Sequence, residues 1–356
     1  MTEIQLILLT GLFWILSRIT NAERPELVLG REEQRINPFF AVLVFLPLTL
    51  SASLGPVRAD GYAYLMSFQK LSGSLSSLFL GFSEGHKGPG FTALEVLIKS
   101  AFGYNETAYR LIISLIQSVS IVYVYRKYSD NYCFSVFLFL ASGCLLSWMM
   151  NGLRQFIAVT LILAGTPWLI EKKYFRMLIL IGIAYTIHSS ALIMVPIIFV
   201  VHGKIFNKRT LLYLGITLVA TFVFTNFTGV LDRLLEGTDY EGLESTYRAY
   251  GDDGANPIRI LVSAVPVLLA FIGREEIRAE DNPMVNICVN MAIVGTGLNM
   301  IAAVTSGITI GRLPIFVSLF PQIVMPHLID KAFSGRIRAL VYIASILLYV
   351  LYFHFS

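Results

Sequence analysis

Apolar and polar residues follow one another along the chain in long blocks. Apolar runs occupy 4–20, 38–54, 109–125, 132–150, 153–170, 177–201, 211–227, 258–272, 284–305, 313–329 and 339–355. Each is about the length a helix needs to cross a ~30 Å hydrocarbon core. A weaker run at 89–102, interrupted by Glu95 and Lys99, is predicted as a helix lying in the outer interface. Short polar links separate the runs: RKYSDN (126–131), EKKYFR (171–176), HGKIFNKR (202–209), GREEIRAED (273–281) and DKAFSGRIR (330–338). The pattern predicts an all-α polytopic integral membrane protein, a single membrane domain over 1–356 with about ten transmembrane helices.

Composition agrees. The 356 residues are 56% hydrophobic and 14% charged, where a soluble domain carries roughly 25% charged residues; mean hydropathy is +0.70. The first run is followed by Arg18, Arg24 and Arg31 without a small-residue cleavage site, and so reads as a retained helix. Cys133, Cys144 and Cys288 lie scattered in apolar segments, which suits packing better than a disulfide framework or a metal site. The sequence has no P-loop, GxGxxG run, CxxC pair or HExxH, which argues against an ATPase or a nicotinamide enzyme.

Positive charge orients the helices, because cytoplasmic links carry the Lys/Arg excess. If every run spans, RKYSDN and EKKYFR fall outside and HGKIFNKR inside, breaking the rule twice. If instead 89–102 stays in the interface and 177–201 enters and leaves from the cytoplasmic side, all five links and 21–37 become cytoplasmic and both termini lie outside. The centre of 177–201 reads TIHSSA, where His188, Ser189 and Ser190 can cap a break in the helix. One long tilted helix with a hydrogen-bonded histidine is the other reading of the same residues. Two long outer loops follow, 55–108 and 228–257, whose aromatics, carboxylates and glycines suit sugars or ordinary solvation equally.

On this topology Arg110, Arg154, Arg259 and Arg312 each start a helix running inward from the outer face. A helix N-terminus carries partial positive charge, so a cation there is misplaced unless an anion joins it. Helix N–H groups and guanidinium together make a phosphate site; snorkelling to lipid headgroups is the bland alternative. Four at equivalent positions favour a shared anionic substrate such as a lipid-linked diphosphate.

The stretch NGLRQFIAVTLILAG, then EKKYF, then IAYTIHSSALIMVPI resembles the EpsG-type group of Wzy-like polysaccharide polymerases. That group's G-x-x-R-Q-x-x-A element matches Gly152, Arg154, Gln155 and Ala158. Its A-x-x-x-H-x-S-A-L element matches Ala184, His188, Ser190, Ala191 and Leu192. ADGYAYL resembles its D-x-x-x-Y element, with Asp60, Tyr62 and Tyr64 as candidates. KGPGF (87–91) resembles its E-P-G-F element, except that Gly88 stands in the acid's place and leaves a carboxylate's role there open.

The resemblance implies a glycosyltransferase with a membrane-embedded C-type fold in the bacterial cytoplasmic (inner) membrane. It would polymerise undecaprenyl-diphosphate-linked repeat units of O-antigen, capsule or exopolysaccharide at the outer face. Donor and acceptor would both be lipid-linked glycans, with a chain-length regulator and a flippase as further partners, no nucleic acid and no cofactor. Arg154 is the first choice for stabilising charge on the leaving diphosphate, then Arg312, with Arg110 and Arg259 behind. Gln155, Tyr62, His86, Lys87 and Arg248 join them as substrate-binding candidates. Asp60 and His188 are the catalytic candidates for accepting the acceptor's proton, with Glu84 and His86 also considered. Asp252 and Asp253 are either a cation pair or solvated loop acids. A flippase of lipid-linked sugars, a glycan ligase and an O-acyltransferase are the alternatives.

Overall fold

In the computed structural model the described residues are 3–20, 22–57, 59–78, 88–142, 144–226, 229–234, 236–237, 242, 245–246, 249, 251–252 and 254–355. The chain forms α1 (Glu3–Ile19), a hairpin of β1 (Glu23–Val28) and β2 (Arg31–Ile36), α2 (Pro38–Leu54), α3 (Asp60–Lys70), α4 (Pro89–Phe102) and α5 (Glu106–Tyr128). It continues through α6 (Tyr132–Ala141), α7 (Cys144–Asn151), α8 (Leu153–Ala164), α9 (Thr166–Ile170), α10 (Tyr174–Ile187) and α11 (Met194–Val200). The remainder is α12 (Lys208–Asn226), α13 (Val230–Leu234), α14 (Ile258–Ile272), α15 (Arg274–Glu280), α16 (Pro283–Val304), α17 (Ile315–Ala332) and α18 (Gly335–Phe355). Two compact units result: residues 1–194 with 322–326 and 336–356, and residues 195–321 with 327–335.

Among the described residues five helices are long and apolar enough to cross a membrane: Glu106–Tyr128, Lys208–Asn226, Pro283–Val304, Ile310–Ala332 and Gly335–Phe353. Counting the bent pair Tyr132–Ala141 and Leu145–Asn151, which turns by 67°, makes six. Six further apolar helices have 10–17 residues, among them α2, α8, α10 and α14. Leu211, Leu212, Phe222, Leu340, Leu347 and Leu348 are all at least half exposed on α12 and α18. Bulky apolar side chains facing outward from apolar helices of this length are what hydrocarbon solvent selects. The protein is a multi-pass helical membrane protein.

Three expectations are refined. The run 132–150 is two helices rather than one, and 153–170 breaks at Gly165 into α8 and α9. The segment 55–108 contains α3 and a 3-10 turn at Leu75–Ser77 as well as the expected helix, which spans Pro89–Phe102. The all-α expectation omits a short β-hairpin at Glu23–Val28 and Arg31–Ile36. Leu29 (φ 52) and Gly30 (φ 81) both take left-handed backbone, making a tight turn that pairs Val28 with Arg31 and sets the antiparallel register.

Charged side chains then tie the polar links together. In the first unit Arg126 ion-pairs with Glu26 and its Nε donates to Ile36 O at 2.7 Å. Arg35, 5% exposed, ion-pairs with Glu33, reaches Asp130 at 3.6 Å and donates from Nε to Lys127 O at 3.0 Å. Glu171 is held below the ordinary glutamate range first by its hydrogen-bonded partner Lys173, then by Arg176 and Lys127. Links 21–37, 126–131 and 171–176 thus meet at one end. In the second unit Arg278 donates to Ile205 O at 3.2 Å, Lys204 pairs with Asp281 at 3.4 Å, and Lys331 pairs with Glu280 at 2.8 Å. Links 202–209, 273–281 and the start of 330–338 likewise share an end.

The break expected inside 177–201 is present. Helix α10 stops at His188, whose backbone is extended (φ −149, ψ 122), and a 3-10 turn at Ser189–Ile193 follows before α11. The imidazole caps this turn: Ser190 N–H donates to His188 Nδ1 at 3.3 Å, and the Ser190 hydroxyl lies 2.6 Å from the same nitrogen.

Candidate functional site

The first unit packs α3, α4, α5, α8 and α10 around one apolar cluster containing Phe68, Phe91, Ile98, Tyr109, Ile113 and Ile157. The site sits on this base. Arg154 stands in the first turn of α8, where its charge opposes the helix dipole, and is half-buried. Three sequence motifs close around it.

The first is KGPGF. Gly88, in left-handed backbone (φ +83), lies so close that a Cβ there would sit 3.0 Å from Arg154 Cδ, 3.2 Å from its Nη1 and 2.6 Å from Ile187 O. Two residues on, a Cβ at Gly90 would meet Thr186 Oγ1 at 2.2 Å, so α4 and α10 approach without side-chain spacers. The two glycines let the start of α4 pass between Arg154 and the end of α10.

The second and third are the R-Q and H-x-S elements. Gln155, 3% exposed, donates from Nε2 to Ser190 Oγ at 3.3 Å. Ser190 Oγ–H then donates to His188 Nδ1. Because Nδ1 accepts a backbone N–H, the neutral imidazole carries its proton on Nε2.

A carboxylate below this cluster escaped the sequence reading. Glu95 on α4 is 4% exposed and accepts a hydrogen bond from Tyr109 Oη at 2.8 Å. Tyr109 is itself fully buried and stacked on Phe68, with ring centroids 4.3 Å apart. Burial pushes the Glu95 carboxyl up to about 7, against the Tyr109 hydrogen bond and the Arg154 charge, which both favour the ionised form. The available signal was spacing. Phe91, Glu95 and Ile98 fall on one helix face, and all three are 4% exposed. Glu95 and Lys99 look like a surface i,i+4 pair, but Lys99 turns away to the carbonyls of Phe68, Gln69 and Leu71, at 2.7–2.8 Å, and closes the C-terminus of α3.

The other candidates lie elsewhere. Arg110 sends Nη2 to Ala52 O (3.1 Å) and Gly55 O (2.6 Å), the carbonyls ending α2. A cation at the start of its own helix is thereby matched to the negative end of another. Asp60 is exposed at the first position of α3, Tyr62 is 60% exposed, and Tyr64 packs edge-on against Phe91 at 5.8 Å. Glu84, His86, Lys87, Arg248 and Asp253 lie outside the described residues.

In the second unit Arg259, in the first turn of α14, comes near the turn that carries Arg312: a Cβ on Gly311 would lie 3.7 Å from Arg259 Nη1. Arg312 is exposed at the end of a 3-10 turn, Ile310–Arg312. Asp252 is not a solvated loop acid. It is 9% exposed, and each carboxylate oxygen takes two donors: Gly254 N and Gly307 N on Oδ1, Ser306 Oγ and Ile308 N on Oδ2, at 2.7–3.2 Å. Burial raises its pKa, but the four hydrogen bonds outweigh that and hold it below the ordinary aspartate range.

Asp252 thus moulds the turn that leads to Arg312. A group whose folded pKa is depressed stabilises the fold above its unfolded value, about 3.9, and that contribution disappears as pH falls through the folded pKa. Asp252→Ala should cost about 2–3 kcal/mol at pH 7, because it strands buried donors. The deficit relative to wild type should shrink on acidification below about pH 4. Thermal unfolding in detergent at pH 7 and pH 3.5 measures both.

The EpsG family model matches residues 38–356. No curated protein and no solved structure matches the chain.

Proposed function

The chain belongs to the EpsG family, membrane proteins of polysaccharide biosynthesis, and on that basis we propose that it polymerises undecaprenyl-diphosphate-linked oligosaccharide repeat units. The observation that carries this reading is the meeting of three separated motifs, Gly88 lying against Arg154 and Ile187 while Gln155 next to Arg154 bonds Ser190, which bonds His188. In the reaction the bond between the anomeric carbon of the growing glycan and its lipid diphosphate breaks. A hydroxyl oxygen on the acceptor's terminal sugar bonds to that carbon, its proton passes to a base, and undecaprenyl diphosphate leaves with the electron pair.

Arg154 serves this step by meeting charge that develops on the leaving diphosphate, in a site where half-burial strengthens the interaction. His188 donates from Nε2 to a phosphate or sugar oxygen, and the Gln155–Ser190 chain fixes its ring. Asp60, exposed at the head of α3, is the acceptor base in this scheme. Tyr62, His86, Lys87 and Arg248 supply sugar and diphosphate contacts, and Arg259 with Arg312 forms a second anion-binding surface. In this reading the basic links face the cytoplasm and the catalytic cluster lies at the outer face of an inner membrane, within a C-type glycosyltransferase arrangement of about ten crossings; the charge rule supports it.

Deleting the gene and resolving surface glycan by gel tests the reading. The expected result is loss of the long ladder with a single repeat unit still displayed. Loss of all surface glycan would overturn polymerisation in favour of export.

A further inference from the structure

Three apolar helices of the first unit reach their polar links at one place. Arg18 stands in the last turn of α1, Arg126 in the last turn of α5, and Asp130 just before α6 begins. Between these helix ends and the hairpin opens a cleft of about 80 Å³, lined by Trp14, Arg18, Glu23, Arg35, Arg126 and Asp130 among others. A water molecule needs about 10–15 Å³ on this scale, so the cleft has room for a small polar headgroup. None of its lining residues has a role in the reaction above. We propose that this cleft binds an ethanolamine phospholipid, its phosphate on Arg18 and its ammonium on Glu23.

The occupant is a lipid because the cleft opens beside a lipid-facing helix. Leu8, Leu12, Ile15 and Ile19 fall along one face of α1 and are all exposed, giving an acyl chain a track that ends beside Arg18. Trp14, also exposed, stands one turn before Arg18 and is the residue type that settles at headgroup level.

The headgroup is a zwitterion because of how the charges are already committed. Arg35 is buried and held by Glu33 and Asp130, and Arg126 is held by Glu26. The Arg18–Glu23 pair is different: Nη1 and Oε1 lie 2.7 Å apart, but the side chains are 61% and 49% exposed. An exposed pair of this kind contributes little and opens at small cost. A phosphate accepting from Arg18 and an ammonium donating to Glu23 replace that one contact with two charge-assisted ones.

The same charges select among headgroups. Three guanidinium groups stand against four carboxylates here, Glu23, Glu26, Glu33 and Asp130. A headgroup that brings only negative charge takes Arg18 and leaves Glu23 uncompensated. Choline carries a positive charge but no N–H to donate. Ethanolamine supplies both the charge and the donors.

The test titrates the purified full chain in mixed micelles with dioleoyl phosphatidylethanolamine, phosphatidylglycerol or phosphatidylcholine, and reads bound lipid by native mass spectrometry. Wild type should bind the ethanolamine lipid about tenfold more tightly than either of the others. Arg18→Gln and Glu23→Gln should each erase that preference. Lys204→Gln, which breaks a similarly exposed pair with Asp281 in the second unit, should leave it unchanged. Equal affinity for the three lipids would overturn the proposal. So would a preference that survives in both Arg18→Gln and Glu23→Gln, or one that is lost in Lys204→Gln. Glycerophosphoethanolamine, the same headgroup without chains, should compete about a hundredfold less well; competition equal to the lipid's would overturn the lipid assignment in favour of a soluble ligand. If either cleft variant fails to fold, the wild-type ranking of the three headgroups decides.

Discussion

Replacing Arg154 with alanine should collapse the surface glycan ladder to a single repeat unit while the protein still inserts at wild-type levels. The side chain is half-buried at a helix start and packs against Gly88, so its removal takes away the cation where two of the motifs touch. Deleting a positioned donor to developing negative charge costs roughly a hundred- to thousandfold in rate, enough to stop extension within a cell generation. Arg154→Lys should fail as well. An ammonium keeps the charge but loses the planar fork that engages two phosphate oxygens together. Gel analysis of glycan beside an immunoblot of washed membranes reads both halves of the expectation; a full ladder in either variant would sink the assignment.

Gly88→Ala should be nearly as damaging, without touching a charge. At φ +83 an L-residue costs about 1–2 kcal/mol. The larger effect is positional, since the new methyl would stand 2.6 Å from Ile187 O, a backbone atom with nowhere to swing, and 3.0 Å from Arg154 Cδ. Relief requires the start of α4 or the His188 turn to move, and a shift of about 1 Å in a catalytic group costs on the order of a hundredfold. Gly103→Ala is the matched control: its φ is +65, yet nothing lies within 4 Å of its would-be Cβ. Backbone strain alone therefore predicts similar loss of extension in both variants, whereas displacement of Arg154 predicts it for Gly88 only.

The sequence made the helical class and the links legible because hydrocarbon solvent and the charge rule act residue by residue along the chain. The break at His188 was readable for a similar reason, since the capping groups are adjacent in sequence and make their bonds over two residues. The hairpin at 23–36 was missed because its strands are too polar to show apolar alternation; Arg126 and the long α5 hold it, and they lie some ninety residues away. Glu95 was missed for a related reason. An acid four residues before a lysine on a helix looks like a surface pair, and only the packing of α3 and α5 sends the two side chains apart. Arg110 shows how an electrostatic puzzle at one helix start can be met by another helix end, because the carbonyls it binds lie fifty-five and fifty-eight residues earlier.

Helices α2 and α5 are fastened to each other at both ends. Arg110 holds the carbonyls of Ala52 and Gly55 at one, and Arg126 holds Ile36 O, just before α2 begins, at the other. Two rods pinned at both ends cannot shear past one another. When bilayer thickness changes, this pair must answer the mismatch by tilting as one body. Both ends of α5, with Tyr109 beside Arg110 at one and the hairpin at the other, are then carried through the same angle.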